Sequence, residues 1–220
     1  MQSEERTLDP ERCLGATPFI EAEAPAILEA ARRCVGSAIT EPARAAALFR
    51  FVRDEIAYEF LAKLDAEEYR ATHVLAERKG FCVQKAVLLC ALGRASGIPT
   101  TLVLSDLRDR TLPDRFLRAM GTDTMFHHGL NAFYLEGRWL LADASLSPDV
   151  VRRKSYRPVE FDGTQDALSA PTTIDGVPHA EYLRFHGLFA DLPFEQTMQA
   201  FMHAYRGADL EALAALGYRM

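Results

Sequence analysis

Apolar positions along the chain fall into three patterns, each predicting a different kind of element. Between Ala22 and Ile56 they recur at helical spacing. Ala26, Ile27, Ala30, Ala31 and Cys34 share one face of a stretch ending at Gly36, and Ala46, Ala47, Phe49, Phe51, Val52 and Ile56 share one face of the next. Arg44, Arg50, Arg53 and Asp54 mostly occupy the opposite side. Both stretches therefore read as scaffold helices, one over 22–35 and one capped by Thr40 with Glu41 and Pro42 in its first turn. The run GFCVQKAVLLCALGRASGIP, from Gly80 to Pro99, is different. Val83, Ala86, Val87, Cys90 and Ala91 keep the helical spacing while Leu88, Leu89 and Leu92 fill the remaining circumference. This predicts a central helix buried on nearly every side and stopped by Gly97 and Pro99. A polar loop over 65–70 and a short helix from His73 to Arg78, opened by Thr72, deliver the chain to it.

The third pattern belongs to strands. Thr100 to Leu104 is short and rich in β-formers, and LNAFYLEGRWLLADAS, after His127-His128-Gly129, holds two apolar, aromatic runs around Glu136-Gly137. A two-residue turn there pairs Leu135 with Arg138 and Phe133 with Leu140, which carries Leu130 opposite Asp143 and His128 opposite Ser145. On that register His128 and Asp143 share one face as diagonal neighbours while His127 turns to the other; a three-residue turn would reverse the parity. Between strand and hairpin lies a charged excursion, 105–126, in which Pro113 starts a short helix ending at Gly121. It reads either as a lid or substrate wall or as a surface insertion. The last third comprises an irregular charged segment from Ser147 to Arg157, a turn-rich stretch through Asp175-Gly176, and two helices, Phe194 to Tyr205 and Asp209 to Leu216. Its aromatics Tyr182, Phe185, Phe189 and Phe194 either fill a core or close one side of a pocket.

The 220 residues suit one domain, 1–220, with a helical lead-in over 1–42, a core over about 43–147 and a helical extension over 148–220. With 49% hydrophobic and 25% charged residues the chain is not of the disordered class, and no apolar run is long enough to span a membrane. A net charge of −6 without any Lys/Arg cluster argues against a nucleic-acid partner. The opening MQSEERTLDPERC lacks the basic start and apolar stretch of a secretory signal, so a cytoplasmic location is expected, with Cys13, Cys34, Cys82 and Cys90 reduced. Their spacing fits neither a disulfide framework nor paired zinc ligands, and His127 and His128 would turn their rings to opposite faces. No metal or other cofactor is expected.

Chemistry is concentrated at Cys82. It stands at the start of the buried helix, where unpaired backbone N–H groups converge, and the helix dipole with Lys85 nearby favours a thiolate. Cys90, among leucines, reads as packing. A thiol nucleophile needs a histidine to take and return its proton and a carboxylate to orient that histidine; Cys82, His128 and Asp143 fill those roles in chain order. Taken singly, each is also an ordinary packing, strand or turn residue, but together they point to catalysis. The backbone N–H of Cys82 is the expected oxyanion donor, with Gln84 as a second, supporting candidate. His73 reads as surface or cap, and His179, His186 and His203 have no partner at a recognisable spacing.

These residues give the sequence its resemblance to the transglutaminase-like superfamily, which has a papain-related fold. The matching positions are Gly80-Phe81-Cys82 opening the helix, Arg94 to Pro99 closing it, His128 followed by the hairpin with Gly137-Arg138-Trp139 and Asp143, and the upstream stretch Val52 to Tyr58. The resemblance covers about 43–147. It implies an α+β fold with the cysteine helix packed on an antiparallel sheet, and a Cys-His-Asp triad acting through a thioester on an amide or thioester carbonyl. A peptide, amide or carrier-bound acyl group is the implied substrate, with peptidase, amidase, transglutaminase-type or biosynthetic acyl-transfer and cyclisation outcomes all open. Gly129-Leu130 stands where many members carry Ala-Trp, and Phe81 where tryptophan is frequent, which points away from protein cross-linking. The rival from another class is a non-catalytic peptide-binding or scaffold module. Loss of a triad residue would mark it, and none is lost here.

Overall fold

The computed structural model describes residues 7–60 and 65–215. Helix α1 (Pro25–Val35) begins later than its periodicity predicts, at a proline whose missing N–H costs nothing in the first turn, and it ends at Gly36 with φ +54°. Helix α2 (Glu41–Glu55) is capped as predicted, the Thr40 hydroxyl accepting from the Ala43 N–H at 3.3 Å. It leads into β1 (Ala57–Tyr58). After α3 (Ala71–Glu77) comes β2 (Lys79–Gly80), which pairs in parallel with β1 and sets Tyr58 opposite Gly80. Thr72 lies inside the first turn of α3, not before it, and Glu21 accepts from both its N–H and its hydroxyl.

Helix α4 (Cys82–Ala95) is buried along its length from Cys82 to Arg94, as its unbroken apolar circumference predicts. It lies between the sheet on one side and α1, α2 and α3 on the other. Each fully buried leucine of this helix contributes ~1.5–3 kcal/mol. At its C-terminal end Gly93 lets β3 (Thr100–Asp109) pass directly over it, since a Cβ there would lie 2.1 Å from the Thr100 hydroxyl oxygen. Arg94 is buried but satisfied, donating to the carbonyls of Thr100, Gly15 and Ala190 at 2.7–2.9 Å.

Strand β3 runs past its predicted end at Leu104. The excursion is therefore a lengthened hairpin carrying α5 (Asp114–Met120), which stops at Gly121 with φ +74°, before β4 (Thr124–Leu135). The two-residue turn Glu136-Gly137, both with positive φ, joins β4 to β5 (Arg138–Ala142) in the predicted register, Leu135 opposite Arg138 and Phe133 opposite Leu140. Two elements depart from expectation. A helix, α6 (Pro148–Arg153), occupies the segment read as irregular, and β6 (Ala180–Phe189) pairs antiparallel with β3 where only turns and aromatics were expected. Helices α7 (Phe194–Ala204) and α8 (Leu210–Ala215) follow; the predicted end of the last helix, at Leu216 and Gly217, lies outside the described residues.

The sheet order is β5-β4-β3-β6, antiparallel throughout. Alternation sorts its residues: Leu102, Leu104, Phe133 and Leu140 pack with α4, whereas Val103, Leu130, Ala132, Trp139 and Leu141 pack with Cys13 and Tyr182 on the other face. The architecture is α+β, with the cysteine helix on an antiparallel sheet. Among the described residues no helix is long and apolar enough to cross a membrane.

Candidate active site

Cys82 is the first residue of α4 and is 7% exposed. Gln84 secures the turn before it: its Oε1 accepts from the Phe81 N–H at 3.2 Å and its Nε2 donates to the Glu68 carbonyl at 2.7 Å. Both ends of its carboxamide thus take part in holding the helix entry. What brings β4 to the thiol is a missing side chain. A Cβ on Gly129 would lie 2.6 Å from Val83 Cα and 3.1 Å from the Cys82 carbonyl carbon, so the strand rests on the first turn of α4 with only a hydrogen between them.

On the residue before that glycine, His128 Nε2 lies 2.8 Å from Asp143 Oδ2. The Cys82 thiol, at the start of α4, is near enough to the same ring to act on its charge. With Nε2 occupied by the carboxylate, Nδ1 is the nitrogen left for sulfur. Burial alone would depress the His128 ring, but the charge of Asp143, with Cys82 behind it, outweighs that and holds the imidazolium up to about 10. Asp143 is buried too, which would raise it. The imidazolium and donors from the Ser145 N–H (3.0 Å) and the Tyr182 hydroxyl (2.6 Å) instead hold it well below the usual carboxylate range. Tyr182 sits on β6, thirty-nine residues beyond Asp143, and nothing local in the sequence ties the two together.

Tyr58 closes another side. Its hydroxyl is pushed well above its usual value by burial first, and its ring lines the same cavity as His128. Lys85, one turn along α4, is buried and donates to the Ile56 carbonyl at 2.7 Å; burial pulls its ammonium down to about 7. It is therefore a tether between α4 and the approach to β1. His127 stands on backbone with φ +52°. Its N–H donates to Asp106 at 3.2 Å and its ring lies 4.4 Å from that of His186, which is itself 2.8 Å from Asp106. Among the described residues no group of three or more His, Cys, Asp and Glu side chains is arranged to hold a metal ion.

A cavity of about 340 Å³ opens beside this group, with Tyr58, His128 and Ser145 in its lining. The 105–126 excursion supplies part of its wall through Leu107, Leu112, Phe116 and Met125. Tyr182 and Tyr58 are the site residues that local sequence patterns did not single out as such. Tyr58 did end the upstream stretch Val52 to Tyr58, the one signal that marked it.

Residues 29–144, more than half of the chain and including Cys82, His128 and Asp143, match the family model of the transglutaminase-like superfamily. No curated protein matches the chain in sequence. Among solved structures, a candidate cysteine protease from Cytophaga hutchinsonii is similar at 16% identity and a TM-score of 0.49, over 83% of this chain and 57% of that one. The periplasmic domain of TgpA from Pseudomonas aeruginosa is similar at 20% identity and a TM-score of 0.43, over 63% of this chain and 48% of that one. The chain thus spans about half the length of these solved relatives.

Proposed function

Because the chain belongs to the transglutaminase-like superfamily, we propose that it is an acyl-transfer enzyme working through a thioester on Cys82. The observation that supports this reading is a single buried imidazole, His128, held by Asp143 at 2.8 Å, on the strand that rests on the first turn of the helix begun by Cys82. The Cys82 sulfur attacks an amide or thioester carbonyl, its proton having passed to His128. The tetrahedral oxyanion is met by the Cys82 backbone N–H at the helix start and by the Tyr58 hydroxyl. When the carbon–nitrogen or carbon–sulfur bond breaks, the leaving group departs with the proton from His128, and the acyl group stays on sulfur. Water or an amine then gives a proton to His128, attacks the thioester, and returns the sulfur with that proton.

Asp143 keeps the ring turned edge-on to the thiol, and Tyr182 keeps Asp143 in place. Lys85 holds the segment that carries Tyr58 against the helix. A peptide, an amide or a carrier-bound acyl group is the substrate class consistent with this chemistry. The test is an acyl-enzyme trap: incubation with an activated thioester, then intact mass and peptide mapping. Acylation on Cys82, absent in Cys82→Ala and released faster by added amines, is the expected result; no adduct, with iodoacetamide labelling no faster than that of an ordinary exposed thiol, would leave only a binding module.

A further inference from the structure

The cavity beside His128 divides into two chemistries. One wall is apolar, formed by Leu107, Leu112, Phe116 and Met125. Phe116 is 3% exposed and set edge-on to Phe60 with 5.2 Å between ring centres, so this wall is packed and preformed. The same lining carries two cations, Arg153 and Lys154, at the end of α6. Arg153 already faces Asp149 one turn back at 3.3 Å. Lys154 is half-buried and stands 6.0 Å from the centre of the Tyr156 ring, with no carboxylate within ion-pair distance among the described residues. The one acidic side chain among the described residues lining the cavity, Asp109, accepts from the Thr111 N–H at 2.8 Å, from the Thr111 hydroxyl and from the Tyr156 hydroxyl at 3.1 Å, so its charge is already hydrogen-bonded within the protein.

A half-desolvated ammonium without a counter-ion is stabilised by an anion brought from outside, and a preformed apolar wall is best covered by a hydrocarbon chain. Which half of the substrate lies here follows from the order of bond changes. The acyl group remains on Cys82 while leaving group and incoming nucleophile exchange, so a cavity walled by β3, α5, α6 and the start of β6 suits the part that does not leave. Resting on the acyl-transfer reading, we infer that the acyl half of the substrate occupies this cavity, and that it is an apolar chain of side-chain length ending in an anionic group met by Lys154.

The experiment uses the full chain and four thiophenyl esters: acetyl, hexanoyl, its ω-carboxylate counterpart adipoyl, and its ω-trimethylammonio counterpart. Rates with Cys82→Ala are subtracted as background. At low salt the expected order in kcat/KM is adipoyl over hexanoyl by about tenfold, hexanoyl over acetyl by about tenfold, and the cationic chain last. Charge reversal by Lys154→Glu, with folding checked by circular dichroism, should invert the adipoyl and trimethylammonio ranks, and added salt should compress them in the wild type. Equal acylation of Cys82 by the charged and neutral chains, acetyl as the best substrate, or an order unmoved by Lys154→Glu would overturn this inference while leaving acyl transfer intact. If none of the four esters acylates Cys82, both this inference and the acyl-transfer reading fall.

Discussion

Two histidine–aspartate pairs of equal length lie in this sheet, and they differ in what surrounds them. His128 and Asp143 meet at 2.8 Å with side chains 7% and 0% exposed; His186 and Asp106 also meet at 2.8 Å, with side chains 17% and 15% exposed. Each histidine even precedes a glycine. Gly129 lacks a side chain because α4 lies against it, whereas Gly187 has open space around it and a φ of +122° that only glycine adopts without strain. The first ring therefore lies on the strand that rests on the start of α4, whereas the second lies beside the ring of His127. Asp143 gains a tyrosine hydroxyl and a backbone N–H, while Asp106 gains the N–H of His127. A hydrogen-bond length does not distinguish a catalytic dyad from a structural one. The third group, and how dry the site is, do.

The sharpest way to break this contrast is to remove each imidazole. His128→Gln should lower kcat/KM for an activated acyl substrate by about 10³-fold or more, and His186→Gln by no more than about threefold, the scale of an ordinary surface change. Comparable losses in steady-state assays of the two variants would erase the distinction. The carboxylates come next. Asp143→Asn should cost about 10³-fold, and Tyr182→Phe, which leaves Asp143 with one donor fewer, about tenfold in kcat with little change in KM.

The glycines give a smaller effect that separates packing from chemistry. Gly129→Ala should destabilise the protein by about 1–3 kcal/mol in denaturant melts and also slow turnover, because β4 must back away from Cys82. Gly187→Ala should cost about 1 kcal/mol through its backbone conformation and leave Cys82 alkylation unaltered.

The smallest effect is in the pH dependence of stability. Folded His128 is held up to about 10 against an ordinary 6.5, so its pairing contributes fully below about pH 6.5 and is lost as the pH rises through about 10. Asp143 is held below its ordinary 3.8, so its share is present above that value and lost on acidification through its depressed folded value. Lys85 has the slope opposite to that of His128: pulled down to about 7 from 10.5, it penalises folding below about pH 7, and the penalty fades towards 10.5. Wild type and His128→Asn share Lys85, so the difference between their denaturant midpoints should shrink from neutral pH to about pH 10. A constant difference would mean that the imidazolium pairing does not operate in the folded protein.

Much of the fold was legible because its signals are local. The buried helix announced itself by an apolar circumference, and the hairpin register needed only the length of the turn at Glu136-Gly137, which sufficed to put His128 and Asp143 on one face. Strand β6 was not legible: His186, Arg184 and Glu181 interrupt its apolar pattern, Gly187 lies inside it, and it is an edge strand whose partner, β3, lies more than seventy residues earlier. The hydrogen bonds of Gln84 were illegible for a related reason. Its position on the first turn was plain, but whether its amide met substrate or the Glu68 carbonyl depended on a segment sixteen residues upstream.

By itself, then, the amino-acid order determined which residues form the central helix, which end of that helix carries a thiol, and which face of the hairpin carries an imidazole and a carboxylate, since periodicity and turn length act over a few neighbouring residues. Only the tertiary structure decided that β4 rests on the first turn of α4 at the bare backbone of Gly129, that Tyr182 arrives from a distant strand to bind Asp143 while Tyr58 lines the cavity beside His128, and that the 105–126 hairpin supplies part of that cavity's wall. Those contacts join segments far apart in the chain, and they form only once the burial of α4 between sheet and helices has fixed where each segment lies.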